Sequence, residues 1–153
     1  MERTYVMVKP DGVARGLIGR ILNRIERKGL KIIGMKFTVL EKSLVEEHYA
    51  AHADKPFYRG LVDFVASGPS LSMVVEGNDA VKIMRAISGI TDPADAAPGT
   101  VRGDIALAMD RTLVHRSDSL EAAEREIGLH FDVAALLTYQ RCDEDAVYES
   151  NCE

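Results

Sequence analysis

The spacing of apolar positions changes several times along the chain, and each change marks an element. Tyr5-Val6-Met7-Val8 is a short unbroken apolar run followed by Pro10, so Thr4 to Val8 is predicted to be a buried strand. Lys9-Pro10-Asp11-Gly12 reads as a turn. Leu17, Ile18, Ile21, Leu22 and Ile25 recur at helical spacing with Arg20, Arg24 and Arg27 between them, which predicts an amphipathic helix ending near Gly29. Ile33, Met35, Phe37 and Val39 alternate with Gly34, Lys36 and Thr38, the pattern of a half-buried strand. From Leu44 to Ala66 the spacing is helical, broken around Lys55-Pro56. Leu71 to Glu76 is a third strand, and Asp79 is placed to cap a helix carrying Ala80, Val81, Met84 and Ile87. Thr91 to Met109 holds Pro93, Pro98, Gly99 and Gly103 and no sustained period. A structureless stretch of that length is functional or mobile. Leu113-Val114-His115 is a short apolar run. Ser117, Asp118 and Ser119 then offer N-caps, Asp118 and Glu121 have capping-box spacing, and the helix is expected to reach about Leu129. The acidic tail beyond Arg141 is expected to wrap the surface.

The resulting order, β-α-β-α-α-β-α-loop-β-α, predicts an α+β sandwich of ferredoxin-like type, with a four-stranded antiparallel sheet covered by helices. A parallel doubly wound sheet is excluded because long helices do not separate every strand pair. The chain has 153 residues, 46% apolar and 28% charged, with no repeat or linker, so residues 1–153 read as one domain. The net charge of −5 argues against a nucleic-acid binder working by bulk charge. No apolar run approaches the length of a membrane span, and the apolar stretch at the N-terminus is too short for a signal peptide. Cys142 and Cys152 resemble neither a disulfide framework nor a zinc site, and a cytoplasmic, reducing setting fits them.

The chain carries no Walker A loop and no G-x-G-x-x-G fingerprint. It does carry isolated cations beside turn residues: Lys9 before Pro10-Asp11-Gly12, Arg85 in a helix, and Arg102 before Gly103-Asp104. Each could contact phosphate or only solvent. His115 follows two apolar residues and precedes a polar helix start. An imidazole there could act as a nucleophile at neutral pH, with Glu126, about three helical turns further on, orienting its other ring nitrogen. The competing reading is a strand-end histidine satisfied by backbone. His48, His52 and His130 are weaker candidates. His48 and His52 could share a helix face and a metal, but Tyr-Ala-Ala between them lacks the glutamate of a zincin motif. Phe57 or Tyr58 could stack on a base or simply pack in the core.

Taken together, Val8-Lys9-Pro10-Asp11-Gly12-Val13, Arg15-Gly16-Leu17-Ile18-Gly19, Glu47-His48-Tyr49, Lys55-Pro56-Phe57 and Ser67-Gly68-Pro69 form a familiar series. It continues with Thr91, Pro93-Ala94-Asp95, Ala97 to Asp104, His115 with Ser117-Asp118-Ser119, and Ala123-Glu124-Arg125-Glu126-Ile127. In this order and at these separations the chain resembles the nucleoside diphosphate kinase family from Arg3 to Glu149. The resemblance implies transfer of the γ-phosphate of a nucleoside triphosphate to a nucleoside diphosphate through a phosphohistidine, with broad base tolerance. It implies His115 as the nucleophile, Glu126 as the carboxylate on its far nitrogen and Ser117 as the hydroxyl supporting that carboxylate. Lys9, Tyr49, Arg85, Thr91 and Arg102 match phosphate and sugar contacts, and Phe57 matches the ring that stacks on the base. Magnesium (Mg2+) is implied as bridging the nucleotide phosphates with little direct protein ligation, and the protein as a homohexamer or a tetramer.

The chain departs from the family pattern at several positions. Thr112 stands where the family commonly has an asparagine that contacts the sugar, Arg116 where it has a small residue, and Met109 where it has valine. Tryptophans common near Val75, His130 and Ala146 are missing. The alternative to the kinase is a nucleic-acid-binding or regulatory protein reusing the same fold, whose mark would be a steeply salt-dependent DNA affinity.

Overall fold

The structure, a computed structural model, describes residues 1–148. Strand β1 (Glu2–Val8) leads into a five-residue helix α1 (Pro10–Ala14) and helix α2 (Ile18–Arg27). Strand β2 (Lys31–Val39), helix α3 (Lys42–His48), a 3-10 turn at Ala50–His52 and helix α4 (Tyr58–Ala66) follow. Then come strand β3 (Pro69–Gly77), α5 (Ala80–Ser88), α6 (Val101–Ile105), the short strand β4 (Val114–Arg116) and α7 (Leu120–His130). A second 3-10 turn (Val133–Ala135) and a helical turn, α8 (Glu144–Val147), complete the described chain. The sheet order is β2-β3-β1-β4 with every neighbouring pair antiparallel, the ferredoxin-like arrangement. Among the described residues, no helix is long and apolar enough to cross a membrane.

The sheet is covered on both faces, which explains the unbroken apolar run in β1. Val6 and Val8 enter a core with Ile21 and Ile25 of α2, Met73 and Val75 of β3, and Met84 of α5. Tyr5 and Met7 enter a second core with Val45, Val62, Ile127 and Phe131 from α3, α4, α7 and the residue after it. Alternation of side chains across the strand divides these residues between the two layers.

Several sequence expectations change. Lys9-Pro10-Asp11-Gly12 is not an isolated turn but the start of α1, with Pro10 in the first turn, where a missing N–H breaks no helical bond. Of the alternating row in β2 only Ile33 is buried. Met35, Phe37 and Val39 are about half exposed, because β2 is an edge strand with an irregularity between Ile32 and Gly34. Asp79 does not cap α5 with its side chain. It stands in the left-handed region, while Glu2 accepts from the Val81 N–H at 3.4 Å. The cap of α7 is Ser119, accepting from the Ala122 N–H at 3.0 Å, and Asp118 instead pairs with Arg116. Thr91 to Met109 is not structureless, since it contains α6, too short to print a period in the sequence. Thr100 Oγ1 caps it by accepting from the Gly103 N–H at 3.0 Å.

The chain beyond α7 runs back along the β2 end of the sheet, and as far as Tyr148 the stretch after Arg141 lies on the surface there. Leu137 N–H bonds to the Ile33 carbonyl at 2.9 Å, and Tyr148 donates to the Gly29 carbonyl at 2.8 Å. Lys31 is buried between Glu144, at 2.9 Å, and Glu76, at 3.6 Å, so the tail is held by charge as well as backbone. Cys142 is exposed and, among the described residues, in no disulfide; Cys152 lies outside them.

Gly103 shows how tightly α6 is seated. A Cβ there would stand 2.1 Å from the Ala97 carbonyl oxygen and 2.7 Å from that of Ala96, both backbone atoms. Gly103→Ala is therefore expected to destabilise the protein by about 2 kcal/mol, the scale of an overpacked site. A urea midpoint equal to that of the unsubstituted protein would show the contact to be yielding.

Candidate active site

His115 is the central residue of β4, opposite Met7 of β1. Strand alternation sends Val114 and Arg116 to one face and His115 to the other, toward Tyr5, α3 and α7. The segment that delivers it is tethered before it begins. Leu113 takes a left-handed φ of 68°, uncommon for a branched side chain, and is fully buried. Its N–H donates to Asp11 Oδ2 at 2.9 Å and its carbonyl accepts from the Lys9 N–H at 2.8 Å. Those two bonds hold a backbone conformation that costs on the order of 1–3 kcal/mol.

Glu126 projects from α7 to meet the ring. His115 Nε2 and Glu126 Oε2 are 2.9 Å apart, and Ser117 Oγ donates to the same oxygen at 2.7 Å. Burial pushes the Glu126 carboxyl up, but the neighbouring His115, the Ser117 hydroxyl and Arg125 outweigh it and hold it below its ordinary value. An ionised carboxylate only accepts, so Nε2 carries the imidazole proton and Nδ1 keeps its lone pair. Among the described residues Nδ1 takes no hydrogen bond.

Two further histidines extend this contact inward. His48 Nε2 lies 3.1 Å from His115 Nε2, and His48 Nδ1 lies 3.0 Å from His130 Nε2. One proton order satisfies all three rings: His115 Nε2–H faces Glu126 and His48, and His48 Nδ1–H donates to His130 Nε2. Tyr5 stacks on His130 with ring centroids 4.4 Å apart. Burial, then the neighbouring His115, holds both inner imidazoles below the ordinary histidine range, His130 at about 4, so both are neutral at pH 7. The idea of a metal shared by His48 and His52 fails here. His48 is buried at the end of α3, whereas His52 is exposed on the following 3-10 turn. The partners of His48 are 67 and 82 residues away, beyond any local spacing rule. The sequence singled out both histidines only as weaker candidates, without showing that they join His115.

The cations form a separate group. Lys9 is buried and donates to Thr112 Oγ1 at 2.8 Å. Burial pushes its pKa down to about 8, with Asp11 opposing and Arg102 assisting. Arg102 is also buried, and donates to the carbonyls of Val114 at 2.8 Å, Gly89 at 3.0 Å, and Thr112 and Ile90 at 3.4 Å. Burial, then Arg116, lowers it to about 10. Arg102 therefore pins the chain on either side of α6 to the approach to β4. Arg85 is exposed and donates to the Asp118 carbonyl at 3.1 Å. Thr91 is exposed, and Phe57 is exposed beside His52. Tyr49 is buried edge-on to His48, its centroid 5.6 Å from that of His115. The structure thus brings His115, Glu126, Ser117 and Tyr49 together, and joins Lys9, Thr112 and Arg102 to them through residues 112–115. It leaves Arg85, Thr91 and Phe57 on the surface. Arg116 lies on the face of β4 away from the His115 ring, buried and paired with Asp118, its Nε without a partner among the described residues.

Residues 2–136 match the family model for nucleoside diphosphate kinase. The chain is 59% identical over 149 residues to a nucleoside diphosphate kinase of Methanosarcina barkeri, covering 97% of this chain and all of the relative. A solved nucleoside diphosphate kinase from Halobacterium salinarum, in complex with CDP, superposes with a TM-score of 0.94 at 53% identity, over 97% of this chain and 99% of that one. A nucleoside diphosphate kinase family protein from Babesia bovis gives a TM-score of 0.93 at 48% identity, over 97% of this chain and all of that one.

Keeping a charged Lys9 buried opposes folding. Its pKa is lower in the folded chain, so the penalty is complete below about pH 8 and disappears as pH rises toward the ordinary lysine value of 10.5. Lys9→Met should stabilise the protein at pH 7 by about 2 kcal/mol, the desolvation relieved less the bond to Thr112. Urea denaturation of both proteins from pH 7 to 10.5 should show that advantage shrinking. A constant difference would mean that Lys9 is not desolvated.

Proposed function

This chain belongs to the nucleoside diphosphate kinase family, a phosphotransferase acting on nucleoside di- and triphosphates, and we propose that His115 carries the phosphate between its two half-reactions. The observation supporting this is the pairing of His115 Nε2 with the Glu126 carboxylate, which leaves Nδ1 unprotonated and facing away from that pair. In the first half-reaction Nδ1 attacks the γ-phosphorus. The Nδ1–P bond forms as the bond to the bridging oxygen breaks, and the nucleoside diphosphate leaves. The imidazole becomes positive during attack, and Glu126, held by Ser117, offsets that charge. In the second half-reaction a terminal oxygen of another diphosphate attacks the same phosphorus and Nδ1 departs with its electron pair.

Positioning and positive charge do most of the remaining work in such a transfer. Lys9, Arg85 and Arg102 supply cations for the phosphates, with Tyr49 and Thr91 beside them. For Arg102 this contact uses the second hydrogen of Nη2, the first being held by Val114. Thr112 meets the sugar and Phe57 offers an exposed ring to the base. Every base has a π face, so stacking alone gives broad base tolerance.

Magnesium fits as an ion brought in on the nucleotide. It prefers six oxygens, whereas the clustered donors of this site are two imidazoles and one carboxylate, and the phosphate-facing groups are cations. Bound there, it would neutralise phosphate charge. A homohexamer or tetramer belongs to the same reading, supported by the exposed apolar row Met35, Phe37 and Val39 on the edge strand. One domain over residues 1–153 and a cytoplasmic setting complete it. A nucleic-acid-binding role is not favoured, given the net charge of −5.

Protein mixed with ATP and magnesium, without acceptor, should gain one acid-labile phosphate per chain, and His115→Ala should gain none. Turnover retained in His115→Ala would exclude the double displacement. Phe57→Ala should lower kcat/KM for ADP, GDP, CDP and UDP alike, by about tenfold, the scale of one lost stacking contact. Loss confined to one base would reveal a specific base-edge reader.

A further inference from the structure

Three lone-pair donors converge where the His115 ring meets its neighbours. His115 Nε2 is 2.9 Å from Glu126 Oε2 and 3.1 Å from His48 Nε2, and all three atoms lie within 4.8 Å of one another. They come from β4, α7 and α3, so the packing of the sheet face holds the cluster together. A single shared proton joins them as hydrogen bonds. The same atoms also approach the spacing of a tetrahedral ligand set: with bonds of about 2.0–2.1 Å, neighbouring ligand atoms stand roughly 3.3 Å apart. The two short separations open by a few tenths of an ångström to reach that spacing, and the third, between His48 and Glu126, meets it from at most 4.8 Å.

The surroundings match this second use. Ligating imidazoles need their other nitrogen held, and His48 Nδ1 is held by His130 Nε2 at 3.0 Å. Ser117 orients the Glu126 carboxylate at 2.7 Å. The His115 side chain keeps 18% of its surface exposed, the open side of a cluster whose other two ligands are buried. Two imidazoles and a carboxylate suit zinc or cobalt(II). Magnesium, which takes oxygen ligands, stays on the nucleotide.

We propose that His48, His115 and Glu126 form a zinc-type site that shuts off the nucleophile in the nucleotide-free, unphosphorylated protein. On binding, the Nε2–H bond of His115 breaks and, through solvent, its proton moves to Nδ1, so the ring stays neutral. Nε2, His48 Nε2 and Glu126 Oε2 each form a coordinate bond, and Glu126 exchanges its hydrogen bond for the metal. Nδ1 then carries the proton in place of the lone pair that attacks phosphorus, and attack also develops positive charge on the ring. Glu126 offsets that charge, whereas a divalent ion on Nε2 opposes it. The inhibition rests on His115 being the nucleophile; the binding does not.

The test separates the two. Nucleotide-free protein dialysed against zinc should retain one ion per chain, and cobalt(II) in its place should give the visible absorption of a tetrahedral centre. His48→Asn should weaken binding by more than about tenfold, and His130→Phe by about tenfold through the lost support of His48. His52→Asn and Cys142→Ser should bind as the unsubstituted chain does. Circular dichroism checks that each variant is folded. Zinc-loaded protein given magnesium-ATP should gain acid-labile phosphate at least about tenfold more slowly, with recovery on adding a chelator. No retained zinc, unweakened binding in folded His48→Asn, or an unchanged phosphorylation rate with the site loaded would each overturn the proposal. Zinc retained by a chain that takes no phosphate even without zinc would count against the transfer reading and leave the metal site standing.

Discussion

The position of His115 depends on a strand of only three residues. Val114–Arg116 pairs with β1 at Val8, Met7 and Val6, and so short a ladder would not fix a side chain by itself. Its register is set one step earlier, at Leu113, whose left-handed backbone is held between Asp11 and the Lys9 N–H. Lys9 reaches the same segment again through Thr112, and Arg102 grips the carbonyls of Thr112 and Val114. The start of α1, the start of α6 and the end of β1 therefore meet at the residues that deliver the imidazole. That convergence puts Lys9 and Arg102 beside the site without a glycine-rich phosphate loop.

The same convergence opposes stability. Lys9 and Arg102 are buried cations, and burial lowers the pKa of each. Leu113 adds backbone strain. These costs are offset by two apolar cores on opposite faces of the sheet, in which Tyr5 to Val8 contribute alternately to both layers. An anion entering beside the cations would relieve part of the desolvation. The protein is thus under electrostatic tension where its buried cations gather.

Around the imidazole the polar groups have few consistent arrangements. Glu126 fixes the proton on Nε2, which obliges His48 to present a lone pair there, and His48 in turn places its proton toward His130. Tyr5 closes the inner end by stacking on His130. A single tautomer order leaves Nδ1 its lone pair. Exchanging the shared proton for a metal ion would use the same three donors to the opposite effect.

Local pattern determined much of this protein. The run Tyr5 to Val8, the period from Leu17 to Ile25 and the spacing in α7 reflect interactions within one element, so each is written in neighbouring residues. His115 was legible as a candidate because an imidazole at a strand end before a polar helix start is a local arrangement, and Glu126 followed within the next helix. Elements of five residues or fewer, α1, α6 and β4 among them, left little or no period to read. The alternation in β2 misled, because it records two kinds of position but not whether a layer covers the apolar one. His48 and His130 join the site from α3 and α7, Lys9 reaches across 103 residues to Thr112, and Arg116 turns to the far face of β4. Those relations exist only once the sheet has brought distant segments within hydrogen-bond reach, which is why tertiary packing alone decided them.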